Sequence, residues 1–221
     1  MPDRRKQRVM KPIDYSLYLV TDRGLSGGRP TLAIVRAAVA GGVSCVQLRE
    51  KSCSTAEFIA EAAAIGDFLK SCGVPLIIND RVDVAMAVGA DGVHLGQKDM
   101  PLAMARAIVG RRMRIGISAE SEQDALAAVR GGADYVSASP IFPTPTKSDT
   151  APALGLEGLR AIRRRVEVPL IAIGGLHRGN AGEVIRSGAD GVAVVSAIAA
   201  AADPAQAARE ILLEIRKARR G

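Results

Sequence analysis

The chain has 221 residues, 48% of them apolar but only 3% aromatic and with no Trp, and a formal net charge of +7. That length suits one large domain, and no apolar run reaches the roughly 18 residues that a membrane span needs. The excess charge sits largely in two basic ends, residues 1–11 and Arg216–Arg220; with hardly any aromatic platforms for single strands, nucleic-acid binding is not expected. The N-terminus lacks the apolar stretch of a signal peptide. Cys45, Cys53 and Cys72 are odd in number and form no CxxC pair, which argues against a disulfide framework or a zinc site. A cytoplasmic protein is therefore expected, with a core of Ala, Val, Ile and Leu.

In chain order, short runs rich in Val and Ile alternate with Ala-rich helical stretches. The predicted strands are Leu17–Thr21, Cys45–Arg49, Leu76–Asn79, Gly92–Leu95, Arg114–Ser118, Asp134–Ser139, Leu170–Gly174 and Val192–Ser196. Predicted helices between and after them are Ala33–Ala40, Ala56–Lys70, Arg81–Val88, Leu102–Val109, Gln123–Arg130, Leu156–Arg164, Ala181–Arg186 and Pro204–Ala218. Ser54 and Glu57 fit a capping box. A repeat marks every second unit: Gly42-Val-Ser-Cys-Val46, Gly89-Ala-Asp-Gly-Val93, Gly132-Ala-Asp-Tyr-Val136 and Gly188-Ala-Asp-Gly-Val192 each join a helix to a strand. The glycine can supply a left-handed helix end. The pattern predicts an α/β fold, a single (β/α)8 TIM barrel over residues 12–221 preceded by a basic tail at 1–11; an open doubly wound sheet is the alternative.

In such a barrel the chemistry lies at the carboxyl ends of the strands, and polar residues gather there. Gln47, Arg49 and Lys51 alternate along the end of the second strand, where Arg49 can grip a phosphate in bidentate fashion. The competing account of this stretch is an exposed ion-pair cluster. Asp80 and Asp99 follow the third and fourth strands, a pair suited to Mg2+ that keeps water and substrate phosphate ligands; Asp80 can instead be a plain helix cap. Ser118 ends the fifth strand, as a donor to substrate or as a cap. The sixth is followed by Pro140–Lys147, in which three prolines stiffen a loop carrying Thr144, Thr146 and Lys147. Gly174-Gly175 and Val194-Val-Ser196 end the last two strands, a plausible phosphate cradle of backbone N–H groups and one hydroxyl. His94 and His177 have no spaced metal-binding partner and read as structural. No nucleophile is evident.

In this order and spacing, Tyr18-Leu-Val-Thr-Asp22, Val46-Gln-Leu-Arg-Glu-Lys51, Ile77-Ile-Asn-Asp-Arg81, Gly92-Val-His-Leu-Gly-Gln97 with Asp99, Pro140–Lys147, Ala172-Ile-Gly-Gly175 and Gly191-Val-Ala-Val-Val-Ser196 resemble the thiamine-phosphate synthases from about Tyr18 to Ala199. The resemblance implies a Mg2+-dependent transferase. It would join 4-amino-2-methyl-5-(diphosphomethyl)pyrimidine to 4-methyl-5-(2-phosphoethyl)thiazole by dissociative loss of pyrophosphate, giving thiamine monophosphate. It implies Gln47, Leu48, Arg49, Glu50, Lys51, Asn79, Ser118 and Lys147 as contacts to the pyrimidine diphosphate, with Arg49, Lys51, Ser118 and Lys147 acting in catalysis. Thr144, Pro145, Thr146, Gly175, Val195 and Ser196 would contact the thiazole phosphate, and Asp80 and Asp99 would hold the metal. Many relatives carry His two residues after the fifth-strand Ser, where this chain has Glu120. In the sister thiazole tautomerases that His resembles a proton-transfer group and the paired carboxylates are typically lost, so the pattern here favours the synthase. The alternatives are a tautomerase-like enzyme or a non-catalytic ligand-binding barrel. The partners implied are small-molecule substrates, with neither nucleic acid nor membrane; whether the chain forms a homo-oligomer is open.

Overall fold

A computed structural model describes residues 12–144 and 152–221. Eight parallel strands close into a barrel in sequence order: β1 Leu17–Val20, β2 Cys45–Leu48, β3 Leu76–Asn79, β4 Gly92–Leu95, β5 Arg114–Ala119, β6 Tyr135–Ala138, β7 Leu170–Ile173 and β8 Gly191–Val194, with β8 pairing back onto β1. The helices are α1 Thr31–Ala40, α2 Thr55–Cys72, α3 Val82–Val88, α4 Leu102–Val109, α5 Glu122–Arg130, α6 Gly155–Arg163, α7 Arg178–Arg186, a short α8 Ser196–Ala199 and α9 Pro204–Ala218. This is the TIM barrel, and the open-sheet alternative falls. Ser54 and Glu57 form the expected capping box at the start of α2. Among the described residues no helix is long and apolar enough to cross a membrane, and all three cysteines are free.

The repeat has a structural meaning that reaches past helix termination. Gly42, Gly89, Gly132 and Gly188 all adopt positive φ, between 63° and 103°. The polar residue two positions on then latches the barrel's lower rim. Ser44 Oγ accepts the backbone N–H of Leu17 at 3.1 Å, Asp91 Oδ2 that of Leu76 at 2.9 Å, Asp134 Oδ2 that of Ile115 at 2.8 Å, and Asp190 Oδ2 that of Leu170 at 2.8 Å. Each latch ties an even strand to the odd strand before it, so the barrel consists of four strand pairs built alike.

Strand alternation separates two cores. Outward residues such as Leu19, Val46, Ile78, Val93 and Leu170 pack under the helices in the aliphatic core that the composition predicts. Inside the barrel the expectation of a purely aliphatic core is corrected. Tyr15, Tyr18 and Tyr135, the only tyrosines of the chain, lie there with Val20, Cys45, Ile77, Ile171 and Ala193. Their rings meet tilted or edge-on at centroid distances of 4.7–6.3 Å. Gly116 makes room for them, since a Cβ there would fall 2.0 Å from the Tyr135 ring. Above this aromatic plug the inward side chains turn polar, which sets the floor of the site.

Candidate active site

A cavity of about 560 Å³ opens at the carboxyl ends of the strands. Its floor is Tyr18, Gln47, His94, Ser118 and Ser137; its walls include Arg49, Lys51, Asn79, Asp80 and Asp99 on one side and Thr144, Gly175, Val195 and Ser196 on the other. The alternation along β2 sends Gln47 and, beyond the strand, Arg49 and Lys51 toward this space. Leu48 and Glu50 point the other way: Leu48 is fully buried in the outer core, Glu50 pairs with Arg23 at 3.3 Å, and neither side chain lines the cavity. Burial raises the Glu50 carboxyl above its ordinary range, ahead of its neighbour Glu61.

The cationic wall is held in place by carboxylates and by the chain end of β1. Arg49 donates to Asp22 at 2.8 Å, and its backbone N–H is received by Thr21 Oγ1 at 3.0 Å. The Lys51 ammonium rests on Asp80. Asp80 is not the helix cap: Arg81 occupies that position in α3 without a side-chain cap bond, while Asp80 stands at φ 61°, the only described non-glycine residue with positive φ. Its N–H donates to the carbonyl of His94 at 2.8 Å. Asp99 reaches the same spot from the next loop, where it also accepts the N–H of Gly96 at 2.7 Å.

These two carboxyl groups share a hydrogen bond and split their acidities. Burial pushes Asp80 up, but the bonds from Asp99 and Lys51 outweigh it and hold Asp80 below the usual range. Asp99 is pushed above that range by burial and then by Asp80. Two carboxylates in contact need a proton or a cation between them, and an all-oxygen pair could hold a hard divalent ion whose remaining ligands are water or phosphate. Among the described residues no group of three or more His, Cys, Asp or Glu converges as a closed metal site.

His94, expected from the sequence to be structural, borders the cavity. It is buried beneath the cavity, with Nδ1 3.0 Å from Tyr135 Oη and Nε2 2.9 Å from Ser118 Oγ. Burial pulls it down to about 4, so the ring is neutral near pH 7. The signal was present in the alternation of β4, which aims Gly92 and His94 inward and Val93 and Leu95 outward. Ser118 therefore faces the cavity rather than capping a helix; Ser121 caps α5. His177 does cap α7, accepting the N–H of Gly179 at 3.0 Å. Glu120 lies outside the cavity lining.

The opposite wall depends on close backbone approach. Pro140, after a cis Ser139–Pro140 bond, leads a loop across the end of β7, where Ile141 N–H donates to Ile173 O at 2.9 Å and Phe142 N–H to Gly174 O at 3.1 Å. A Cβ on Gly174 would lie 2.6 Å from Pro140, and one on Gly175 2.8 Å from Pro143 O, so only glycines admit this loop. Thr144 is thereby brought to the cavity, whereas Pro145, Thr146 and Lys147 lie outside the described residues. Ser196 opens α8, where the N–H groups of Ile198 and Ala199 turn back onto Val195 O at 3.2 and 2.9 Å and those of Ser196 and Ala197 begin the helix.

Residues 17–198 match the thiamine monophosphate synthase family. A thiamine-phosphate synthase of Chloroflexus aurantiacus is 54% identical over 199 residues, covering 90% of this chain and 92% of that protein. One from Albidiferax ferrireducens is 56% identical over 192 residues, 87% of this chain and 88% of that protein. Among solved structures, a thiamine phosphate pyrophosphorylase from Pyrococcus furiosus superposes with a TM-score of 0.87 at 39% identity, over 93% of this chain and 97% of that one.

Proposed function

The chain belongs to the thiamine monophosphate synthase family, and on that premise we propose that it joins 4-amino-2-methyl-5-(diphosphomethyl)pyrimidine to 4-methyl-5-(2-phosphoethyl)thiazole. The products are thiamine monophosphate and pyrophosphate. The observation that carries this reading is the two-sided cavity. One wall concentrates Arg49, Lys51, Asp80 and Asp99, and the other offers Gly175, Val195 and Ser196 beside Thr144.

The first wall suits a diphosphate. Arg49 and Lys51 bind its oxygens, and Asp80 with Asp99 would hold Mg2+ by oxygen ligands. When bound, Mg2+ neutralises charge that gathers on the leaving pyrophosphate. The carbon–oxygen bond at the pyrimidine methylene breaks with both electrons leaving on oxygen, and the amino-substituted ring stabilises the resulting cation. The thiazole nitrogen lone pair then forms the new carbon–nitrogen bond. No protein nucleophile is required. The chain's own work is to place the two rings and to stabilise negative charge as it develops. Gln47, Asn79 and Ser118 orient the pyrimidine, Gly175, Val195 and Ser196 hold the thiazole phosphate, and Lys147, outside the described residues, would complete the pyrophosphate contacts.

Purified protein incubated with both substrates and Mg2+ should yield thiamine monophosphate and pyrophosphate in equal amounts. Turnover of the thiazole phosphate alone would favour a tautomerase, and no turnover of either would leave a binding protein.

A further inference from the structure

The barrel interior holds a run of hydrogen bonds between the two sides of the cavity floor. Gln47 Nε2 donates to Tyr18 Oη at 3.0 Å; Tyr18 Oη lies 3.0 Å from Tyr135 Oη; Tyr135 Oη lies 3.0 Å from His94 Nδ1; and His94 Nε2 lies 2.9 Å from Ser118 Oγ. Tyr18 and Tyr135 are fully buried and His94 is 6% exposed.

Each hydroxyl has one proton, so the first bond determines the rest. The Gln47 amide can only donate through Nε2, which leaves the Tyr18 proton for Tyr135. The Tyr135 proton then goes to Nδ1, and the neutral ring carries its own proton on Nε2, directed at Ser118. The Ser118 oxygen accepts from Nε2 on one lone pair, and its own proton is released toward the cavity. The Cys45 thiol also lies beside the Tyr18 hydroxyl, but sulfur is a weak acceptor and does not divert the run.

We propose that this chain runs one way, from Gln47 to Ser118, and that Tyr18, Tyr135 and His94 are positioning residues that present Ser118 to the substrate as a hydrogen-bond donor. The inference rests on the cavity being the substrate site. It deepens that reading by naming the edge selected: a heteroaromatic ring with a bare nitrogen lone pair at Ser118, and a polar hydrogen facing the free Gln47 Oε1. A ring that carries N–H at the Ser118 position forfeits the bond from the Ser118 proton and is bound more weakly. The close fit of the Tyr135 ring over Gly116, where any Cβ would collide, holds the middle of the chain in place.

Nitrogen-15 NMR of the imidazoles reads the direction without any substrate, because His94 and His177 are the only histidines. A His177→Asn spectrum assigns the signals. The expected result is a neutral His94 with a protonated Nε2 and a pyridine-type Nδ1; a proton on Nδ1, or on both nitrogens, overturns the proposal. Tyr135→Phe should shift the Nδ1 resonance and lower kcat/KM for the pyrimidine diphosphate about tenfold, the weight of one hydrogen bond. KM for the thiazole phosphate should stay unchanged. Equal losses for both substrates would reduce Tyr135 to a structural role and overturn the positioning argument. If that variant fails to fold, the wild-type tautomer still decides the direction. A protonated Nε2 in a protein without synthase turnover would sink the reaction and leave the direction standing.

Discussion

Asp80 combines two unfavourable features at one position: a left-handed backbone at φ 61° and a carboxyl group pressed against that of Asp99. Strain of this kind costs about 1–3 kcal/mol and persists where the surroundings impose it; Asp tolerates it better than most residues. The arrangement makes sense if the pair is held ready for a cation. Asp99→Ala is accordingly expected to cut Mg2+-dependent turnover by about 100-fold or more, on the scale of losing one fixed charge-stabilising group, with circular dichroism unchanged. Wild-type turnover in that variant would remove the metal site.

His94 gives the residue scale a pH signature. Its folded-state pKa of about 4 lies below the ordinary 6.5, so between these values the unfolded chain binds more protons. Stability is then fully present above pH 6.5 and falls as the pH drops toward 4, by about 3 kcal/mol in all. Urea unfolding of the wild type and of His94→Gln at pH 7 and pH 4.5 checks this, since the variant should lack that share of the acid loss. Parallel losses would show that His94 does not titrate as described. The sequence did not disclose this histidine's setting because its partners are remote: Ser118 lies 24 positions on and Tyr135 lies 41, and they meet His94 only when the barrel folds. Arg49 and Lys51 were easier to place at the cavity, since the alternation of β2 carried past its end aims them there, and Asp80 and Asp99 lie in the loops that follow β3 and β4 on the same face.

At the scale of elements, the strands were legible to within two residues because their apolar runs are bounded by polar or glycine breaks. Leu76–Asn79 and Gly92–Leu95 agree at both ends. Helix α7 begins at Arg178 rather than Ala181, because its first turn, Arg-Gly-Asn, has weak helix propensity and is held instead by the His177–Asn180 capping box. The four residues of α8 and the 3-10 turn Arg23–Leu25 are too short to leave a periodic trace. The docking of the loop after β6 onto β7 was legible only as the glycine pair that permits it. Gly174→Ala would force a Cβ to 2.6 Å from Pro140 in a backbone at φ 102°. We expect it to displace the loop and raise KM for the thiazole phosphate by about tenfold or more, with a loss of stability of about 1–3 kcal/mol. Steady-state kinetics with each substrate varied in turn would test this, and an unchanged KM would separate the loop from the phosphate.

For the whole molecule, ring closure is what converts scattered strand ends into one cavity: β1 and β8 pair, and α9 packs beside α1 and α7 across the seam. The four lower-rim latches give that ring an internal grain. Every latch lies within a pair, β1 with β2, β3 with β4, β5 with β6, β7 with β8, and none of the four crosses between pairs. The chain can therefore be regarded as four cassettes whose order along the polypeptide matters less than their integrity. Gly73 and Gly89 provide a controlled comparison, for both end helices at positive φ with open space around them. A circular permutant opened after Gly73 breaks the chain between cassettes, while one opened after Gly89 splits a cassette and leaves Asp91 to find Leu76 from the far end of the chain. The first should melt higher than the second, by the equivalent of about 1–3 kcal/mol for a charged hydrogen bond made non-local. The seams along which this barrel can be cut and rejoined are thus written into its lower rim, on the face opposite the one that holds its chemistry.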